Sequence, residues 1–204
     1  MSWRIARDVA SLPTYRFSHR SPLWWGTLSF VVIEGLGFLF TIVVYFYLRS
    51  QNADWPFSQP PDLFWGTLLT AVFLLSEFPN TWTKRAALAQ DLRRVRIGLV
   101  IMSLVGLVTI AIRALEFTTL NVRWDQNAYG STVWVLIGLH TAHIVTDVAE
   151  TLVFVALIFA GPLDARRFSE VEDNQAYWDF VVLAWLPIYV TMYWAPRLLG
   201  GGAP

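Results

Sequence analysis

The sequence contains no cysteine and only three histidines, His19, His140 and His143. A chain without cysteine forms no disulfide and offers no thiolate for a metal site or for nucleophilic catalysis. Three histidines are too few for a protein that holds several haems or a multinuclear metal centre by itself. Charged residues make up only 15% of the chain and the formal net charge is zero, so nothing indicates a nucleic-acid partner.

Apolar and aromatic residues take the place of the missing charges. Hydrophobic residues make up 55% of the 204 residues, with 11 Trp and 14 Phe, which is more than a water-soluble domain normally carries. Five apolar runs are long enough to span a bilayer core of about 30 Å as helices. We therefore expect an all-α membrane protein, a bundle of five transmembrane helices. The runs cover Trp24 to about Leu48, about Leu63 to Trp82, about Ile97 to Thr119, about Tyr129 to Ala160 and about Tyr177 to Leu198.

The distribution of Lys and Arg predicts the orientation of this bundle. Three basic residues, Arg49, Arg123 and Arg197, fall on one side of the membrane. Because the side richer in Lys and Arg stays in the cytoplasm, we place the N-terminus in the cytoplasm and the C-terminus in the periplasm. The basic side has eleven such residues: Arg4, Arg7, Arg16, Arg20, Lys84, Arg85, Arg93, Arg94, Arg96, Arg166 and Arg167.

The chain is predicted to be organised as one membrane domain. We expect a cytoplasmic N-terminal segment at residues 1–22, the five-helix domain at residues 23–199 and a flexible tail at residues 200–204. Pro79 and Pro187 fall inside the second and fifth runs. Since proline has no N–H to donate, each is expected to kink its helix.

Glu34 lies near the middle of the first run, next to Gly35 and close to Gly37. A charge at the centre of a membrane helix costs about 2.5–3.5 kcal/mol on insertion scales, so such side chains usually face protein. Small neighbouring residues favour the close approach of a second helix. Two roles stay open for Glu34: a proton carrier or ligand, or a protonated or hydrogen-bonded carboxyl that fixes helix packing.

The fourth run carries a polar stripe formed by His140, His143, Asp147 and Glu150. At 100° per residue these four side chains fall within an arc of roughly 80° and extend over about 15 Å of helix. Three roles stay open: a metal site, a proton relay, or a buried face that forms hydrogen bonds to neighbouring helices, subunits or lipid headgroups.

Other ionisable residues in the runs have simpler interpretations. Arg113 and Glu116 are spaced for a partly buried ion pair near the outer end of the third helix, which favours a packing role. Glu77 precedes Pro79 near the cytoplasmic end of the second helix. Asp179 is expected at the start of the fifth helix, where an acid suits the positive end of the helix dipole.

Catalytic motifs are missing from the sequence, which has no HExxH, no GxSxG and no phosphate loop. A bis-histidine haem requires ligands that face each other from separate helices, but His140 and His143 share one run. We therefore expect no catalytic residue, and no metal or cofactor bound by this chain.

Four segments, in order and spacing, resemble subunit III of the haem–copper oxidases, the cytochrome c oxidase family. The third segment, NAYGSTVWVLIGLHTAHIVTD, is similar to the family's YGS…GxHxxHV element, and the fourth, YWDFVVLAWLPIYVTMYW, to its closing helix. The first contains the family's mid-membrane acid at Glu34, and RALEF contains its acid near the outer end at Glu116. The four segments are Gly26–Arg49, Arg113–Phe117, Asn127–Asp147 and Tyr177–Trp194.

The resemblance implies a short, five-helix bacterial form in the bacterial inner membrane. It implies a non-catalytic subunit of a respiratory terminal oxidase that binds phospholipid, packs against subunit I and sustains its proton uptake, together with subunit II. Haem and copper are then expected in the partner subunits. Cytochrome c or a similar electron donor is expected to interact with this chain only through the complex. The expected lipid-binding or helix-packing residues are Glu34, Glu116, His140 and His143. Asp147 and Glu150 extend the polar stripe, and a role in proton transfer stays open for them.

The sequence also departs from the family pattern. Asp179 stands where the family usually has His, and Val182 stands where it usually has an acid. These departures leave open the accessory subunit of a nitric oxide reductase. A small metal or proton transporter that uses the polar stripe of the fourth helix is a further alternative.

Overall fold

A computed structural model of the chain describes residues 17–161 and 165–199, without the side chains of residues 18, 165 and 166. Every regular element in these residues is helical. The expected N-terminal segment falls largely outside the described residues, and the expected tail falls wholly outside them. The elements are a 3₁₀ turn at Ser18–Arg20, α1 (Pro22–Ser50), α2 (Leu63–Leu88), α3 (Leu92–Phe117), α4 (Ala128–Ala160), α5 (Ala165–Tyr189), a π-helical turn at Val190–Trp194 and α6 (Ala195–Leu199).

Polar side chains fix where three of the long helices begin. The Ser21 hydroxyl accepts from the Leu23 N–H at 3.1 Å, directly before Pro22 opens α1. Asp91 caps α3 and Asn127 caps α4 in the same way, each accepting the N–H of the residue three positions on. Such caps satisfy N–H groups that have no partner within the helix.

The helices agree with four of the five expected runs to within about six residues, and the fifth differs. The prediction placed its start at Tyr177, whereas α5 begins at Ala165. Residues 165–176 are mostly polar, so hydropathy alone assigned them to a connection. They form a helix because Phe168 and Val171 are buried against the rest of the bundle.

Four helical segments are long and apolar enough to cross a membrane: α1, α3, α4 and the run Arg167–Leu199. The second helix is present but is not one of them. Its Thr, Ser and Asn residues and Glu77 lower its mean hydropathy. A membrane crossing by α2 and the orientation of the termini therefore stay predictions.

α5 packs against α1, α2 and α4. α2 also packs against α3, and α3 against α4, so α2, α3, α4 and α5 share the core. α1 lies at the edge of this arrangement, where Phe38 and Tyr45 are its buried residues. Most of its other apolar side chains face outward, with Ile33 67% exposed and Phe40 65% exposed. An apolar surface of this extent is unfavourable in water, so α1 presents it to lipid or to another protein.

Both prolines lie inside helices, as the sequence predicted. Pro187 cannot donate to the preceding turn, and the π-helical turn at Val190–Trp194 starts three residues later. Local π turns are a common way for a helix to absorb an interrupted hydrogen-bond ladder. This turn carries Tyr193, which is fully buried in the core.

Candidate functional site

A buried ion pair lies near the C-terminal end of α3. An Nη1 hydrogen of Arg113 is donated to the Glu116 carboxylate at 2.6 Å, and the two side chains are only 1% and 0% exposed. The sequence predicted the pair, but the structure buries it completely rather than partly. A second oxygen of Glu116 accepts from the Tyr193 hydroxyl. The charges are therefore paired and hydrogen-bonded, which is the condition for keeping them away from water.

His140 extends this ion pair to two further helices. Its Nδ1 accepts from Arg113 at 2.9 Å, and its Nε2 lies 2.9 Å from the Val181 carbonyl. Because a guanidinium only donates, Nδ1 carries no proton and Nε2–H donates to Val181, which makes the ring neutral. Both ring nitrogens are then occupied, so His140 has none left to bind a metal ion.

Trp185 completes what we call the Arg113 network, formed by Arg113, Glu116, His140, Trp185 and Tyr193. The Arg113 guanidinium lies over the Trp185 ring at 4.3 Å from its centroid, a cation–π contact. The indole N–H of Trp185 donates to the Thr70 hydroxyl of α2 at 2.7 Å. The network therefore joins α2, α3, α4 and the last membrane segment through polar contacts inside the core.

A second cluster surrounds Glu34 and includes His143 and Tyr177; we call it the Glu34 cluster. The Tyr177 hydroxyl donates to one Glu34 oxygen at 2.8 Å, and His143 Nε2 lies 3.3 Å from the other. His143 Nδ1 donates to the Leu139 carbonyl at 2.6 Å, which turns Nε2 toward Glu34. The 3.3 Å contact is an ion pair when the His143 ring is protonated. The cluster thus ties α1 to α4 and α5 in the middle of α1.

The polar stripe of α4 does not act as one unit. His140 belongs to the Arg113 network and His143 to the Glu34 cluster. Asp147 is 2% exposed, and its Oδ1 has no hydrogen-bond partner among the described residues. Glu150 lies on the surface of a cavity. His140, His143 and Asp147 are buried whereas Glu150 is exposed, and each of the four meets a different neighbour.

The cavity beside the Glu34 cluster has a volume of about 510 Å³ and lies between α1, α4 and α5. Its wall is apolar at Phe30 and Phe154 and acidic at Glu150 and Asp173. Tyr177 lines it as well, so the residue that bonds to Glu34 also faces the cavity. An amphiphile with both apolar and polar parts fits the character of this wall.

Sequence reasoning missed a buried polar layer in the first half of α5. Asn174 accepts from the Thr151 hydroxyl at 3.1 Å and from the Gln175 amide at 3.0 Å. The Asn80 amide donates to the Gln175 carbonyl at 3.0 Å, which ties α2 to the same place. The Asn-Gln pair directly before the closing apolar run was the only signal for this layer. Its partners lie on other helices, so no spacing pattern reveals them.

The expected capping role of Asp179 is wrong, because Asp179 lies in the interior of α5 rather than at its start. One carboxylate oxygen accepts from the Asn80 amide at 2.5 Å and the other from Lys84 at 3.2 Å. Lys84, which the sequence assigned to a connection, is part of α2. Asp179 therefore links α5 to α2 by an ion pair whose two side chains are about one third exposed.

No group of three metal-binding side chains occurs within residues 17–161 and 165–199. Of the residues considered for a metal site, His140 belongs to the Arg113 network and His143 to the Glu34 cluster, whereas Asp147 belongs to neither. Within the described part of the chain, the polar clusters connect helices and leave an amphiphilic cavity between them.

These features define a multi-pass helical membrane protein whose buried polar groups join its helices. The profile of the cytochrome c oxidase subunit III family matches residues 1–196, and the chain belongs to that family. It is similar to cytochrome c oxidase subunit 3 of Artemia franciscana, with 25% identity over 197 residues, 92% of this chain and 76% of that protein. The Latimeria chalumnae subunit 3 is 28% identical over 202 residues, 92% of this chain and 77% of that protein.

Proposed function

We propose that this chain is the non-catalytic subunit III of a respiratory haem–copper terminal oxidase. The family match over residues 1–196 is the observation that carries the proposal. Family membership implies association with other oxidase subunits, and we propose subunits I and II as those partners. The haem and copper then belong to these subunits, which receive electrons from cytochrome c or a similar donor. We place the chain in a bacterial inner membrane, and its basic helix ends support an N-terminus in the cytoplasm.

In this proposal the cavity between α1, α4 and α5 holds a phospholipid. Its wall combines Phe30 and Phe154 with polar groups, and Tyr177 links it to Glu34. Glu34 and His143 do not line the cavity themselves and are coupled to the lipid through Tyr177. Glu150 lines the same cavity, which is the support for a proton-linked role of the stripe formed with Asp147.

Glu116 and His140 have a different role in the proposal, which is to fix helix packing. Both are 0% exposed; Glu116 is bonded to Arg113 and Tyr193, and His140 to Arg113 and the Val181 carbonyl. The outward apolar face of α1 is proposed to pack against lipid and subunit I. The bundle then braces subunit I and sustains its proton uptake without binding a redox centre of its own.

Purification from mild detergent tests the proposed place in the complex. We expect a large haem-bearing polypeptide and a copper-bearing subunit to copurify with this chain. Copurification with nitric oxide reductase subunits would assign the chain to that complex instead. A Soret band or stoichiometric copper in the isolated chain would overturn the proposal. Metal bound by the isolated chain and lost in His143→Ala would favour the transporter alternative.

A Glu34→Gln variant of the purified complex tests the proposed lipid contact. Gln keeps the shape of the side chain but removes the charge that faces His143 and Tyr177. We expect less phospholipid in the complex and a faster decline of activity during sustained turnover. Asp54→Asn, which removes an exposed acid in the α1–α2 connection, is the control and should change neither. Unchanged lipid content, assembly and turnover in Glu34→Gln would remove Glu34 from the site.

A further inference from the structure

A second groove lies on another face of the molecule, between the start of α3 and the end of α4. It has a volume of about 570 Å³ and shares no lining residue with the cavity described above. Its wall is almost entirely apolar and includes Ile97, Ile101 and Phe159. Ile97 is 46% exposed and Phe159 54% exposed, so these side chains lack cover from the chain itself.

Two arginines one helical turn apart, Arg93 and Arg96, line the groove at its α3 end. The Arg96 Nη2 donates to the Ile158 carbonyl at 3.1 Å, and its guanidinium lies 5.1 Å from the Phe159 ring centroid. Arg96 is therefore held at the C-terminal end of α4, where carbonyls lack partners within the helix. The Arg96 Nε donates to the same carbonyl at 3.4 Å, and its Nη1 group has no acceptor among the described residues.

The charge of the groove is uncompensated within the described part of the chain. No ion pair joins Arg93 or Arg96 to a described acid, and no described acid lines the groove. Arg94, which lies between them, differs because it pairs with Asp91 at 3.2 Å. The groove thus favours an occupant that brings negative charge to the arginines.

The length of the groove matches one leaflet of a bilayer. From Arg93 to Ile101 the helix rises about 12 Å at 1.5 Å per residue, and half of a bilayer core is about 15 Å. Guanidinium groups recognise phosphate oxygens through paired N–H donors. We propose that this groove binds an anionic phospholipid, with the phosphate at Arg93 and Arg96 and an acyl chain along Ile97, Ile101 and Phe159.

This site depends on membrane insertion but not on the role proposed for the chain as subunit III. It is tested on the full-length chain in mild detergent by native mass spectrometry, after exchange into phosphatidylglycerol or into phosphatidylcholine with the same acyl chains. We expect phosphatidylglycerol to be retained in preference to phosphatidylcholine. Arg93→Gln should reduce phosphatidylglycerol retention about fivefold, the order expected for one basic residue near an anionic lipid surface.

Arg94→Gln is the matched control, because it removes the same charge from the neighbouring position outside the groove. It should retain phosphatidylglycerol as the parent chain does. Arg96→Lys, which keeps the charge but loses the fork of donors, should fall between the parent and Arg93→Gln. Equal retention of the two lipids by the parent chain would overturn the proposal. An equal loss in Arg94→Gln, or no loss in Arg93→Gln, would also overturn it.

Discussion

At the scale of single residues, the charges that hydropathy would exclude from the core are kept there by pairing. Arg113 donates hydrogen bonds to Glu116 and His140, and its guanidinium lies over the Trp185 ring. Moving an isolated ion out of water costs several kcal/mol, and it costs less when the geometry is good and the remaining donors have acceptors. One Arg113 nitrogen, Nε, still lacks a partner among the described residues. The network therefore gives directional contacts between helices that apolar packing alone does not provide.

Breaking this ion pair from one side should be strongly destabilising. In Glu116→Gln, the Arg113 charge stays buried without its carboxylate. We expect the free energy of unfolding to fall by about 3–5 kcal/mol, the cost of leaving one buried charge unpaired. Thermal unfolding in detergent, followed by circular dichroism, measures the change.

The pair formed by Arg123 and Asp125 is the control, because it lies in the exposed α3–α4 connection at 2.9 Å. Asp125→Asn should leave the unfolding temperature almost unchanged, since solvent and salt screen an exposed pair. A similar loss of stability in both variants would show that burial does not control the contribution of these pairs.

At the scale of helices, glycine decides how closely α2 and α3 approach. A Cβ added to Gly98 of α3 would overlap the side chain of Thr83, which is completely buried in α2. Thr83 is short and branched at Cβ, so it cannot swing aside as a long side chain would. The contact is an example of small residues allowing close helix packing in a membrane protein.

Gly98→Ala should therefore separate α2 from α3 and lower stability by about 1–3 kcal/mol, the usual cost of overpacking a core. Gly138→Ala is the matched control, since a Cβ at Gly138 of α4 would have no neighbour within 4 Å. It should be neutral or slightly stabilising because alanine favours a helix more than glycine does. Chemical unfolding in detergent compares the two variants. Equal stability of both would contradict the close contact at Gly98.

The helices themselves could largely be predicted, because four of the five apolar runs match their helices to within about six residues. The half of α5 that precedes Tyr177 could not, since its polar residues are buried by partners such as Thr151 and Asn80 on other helices. The candidate site likewise has a part that could be predicted from the sequence and a part that could not. Spacing within α4 placed His140 and His143 on one face, but the identity of their partners depends on tertiary packing, which no local pattern encodes.

At the scale of the whole molecule, the connections fall at two ends of the bundle. Asn121 of the α3–α4 connection donates to the Pro60 carbonyl at 3.1 Å, and the Asp62 N–H donates to the Thr119 carbonyl at 3.2 Å. The α1–α2 and α3–α4 connections therefore lie at the same end. The turn between α2 and α3 lies at the other end of these helices. If the four strongly apolar segments cross the membrane, α2 also crosses it, because its two ends lie at opposite ends of the bundle.

The absence of cysteine makes this topology directly testable with single-cysteine variants. Ala53→Cys lies in the α1–α2 connection, Gln126→Cys in the α3–α4 connection and Ala89→Cys between α2 and α3, all at exposed positions. With a membrane-impermeant maleimide on intact bacterial cells, we expect labelling of the first two and protection of Ala89→Cys until the cells are opened. The basic residues near Ala89 favour its retention in the cytoplasm. Labelling of Ala53→Cys and Ala89→Cys from the same side would show that α2 does not cross. The reverse pattern in all three variants would keep five crossings and invert the predicted orientation.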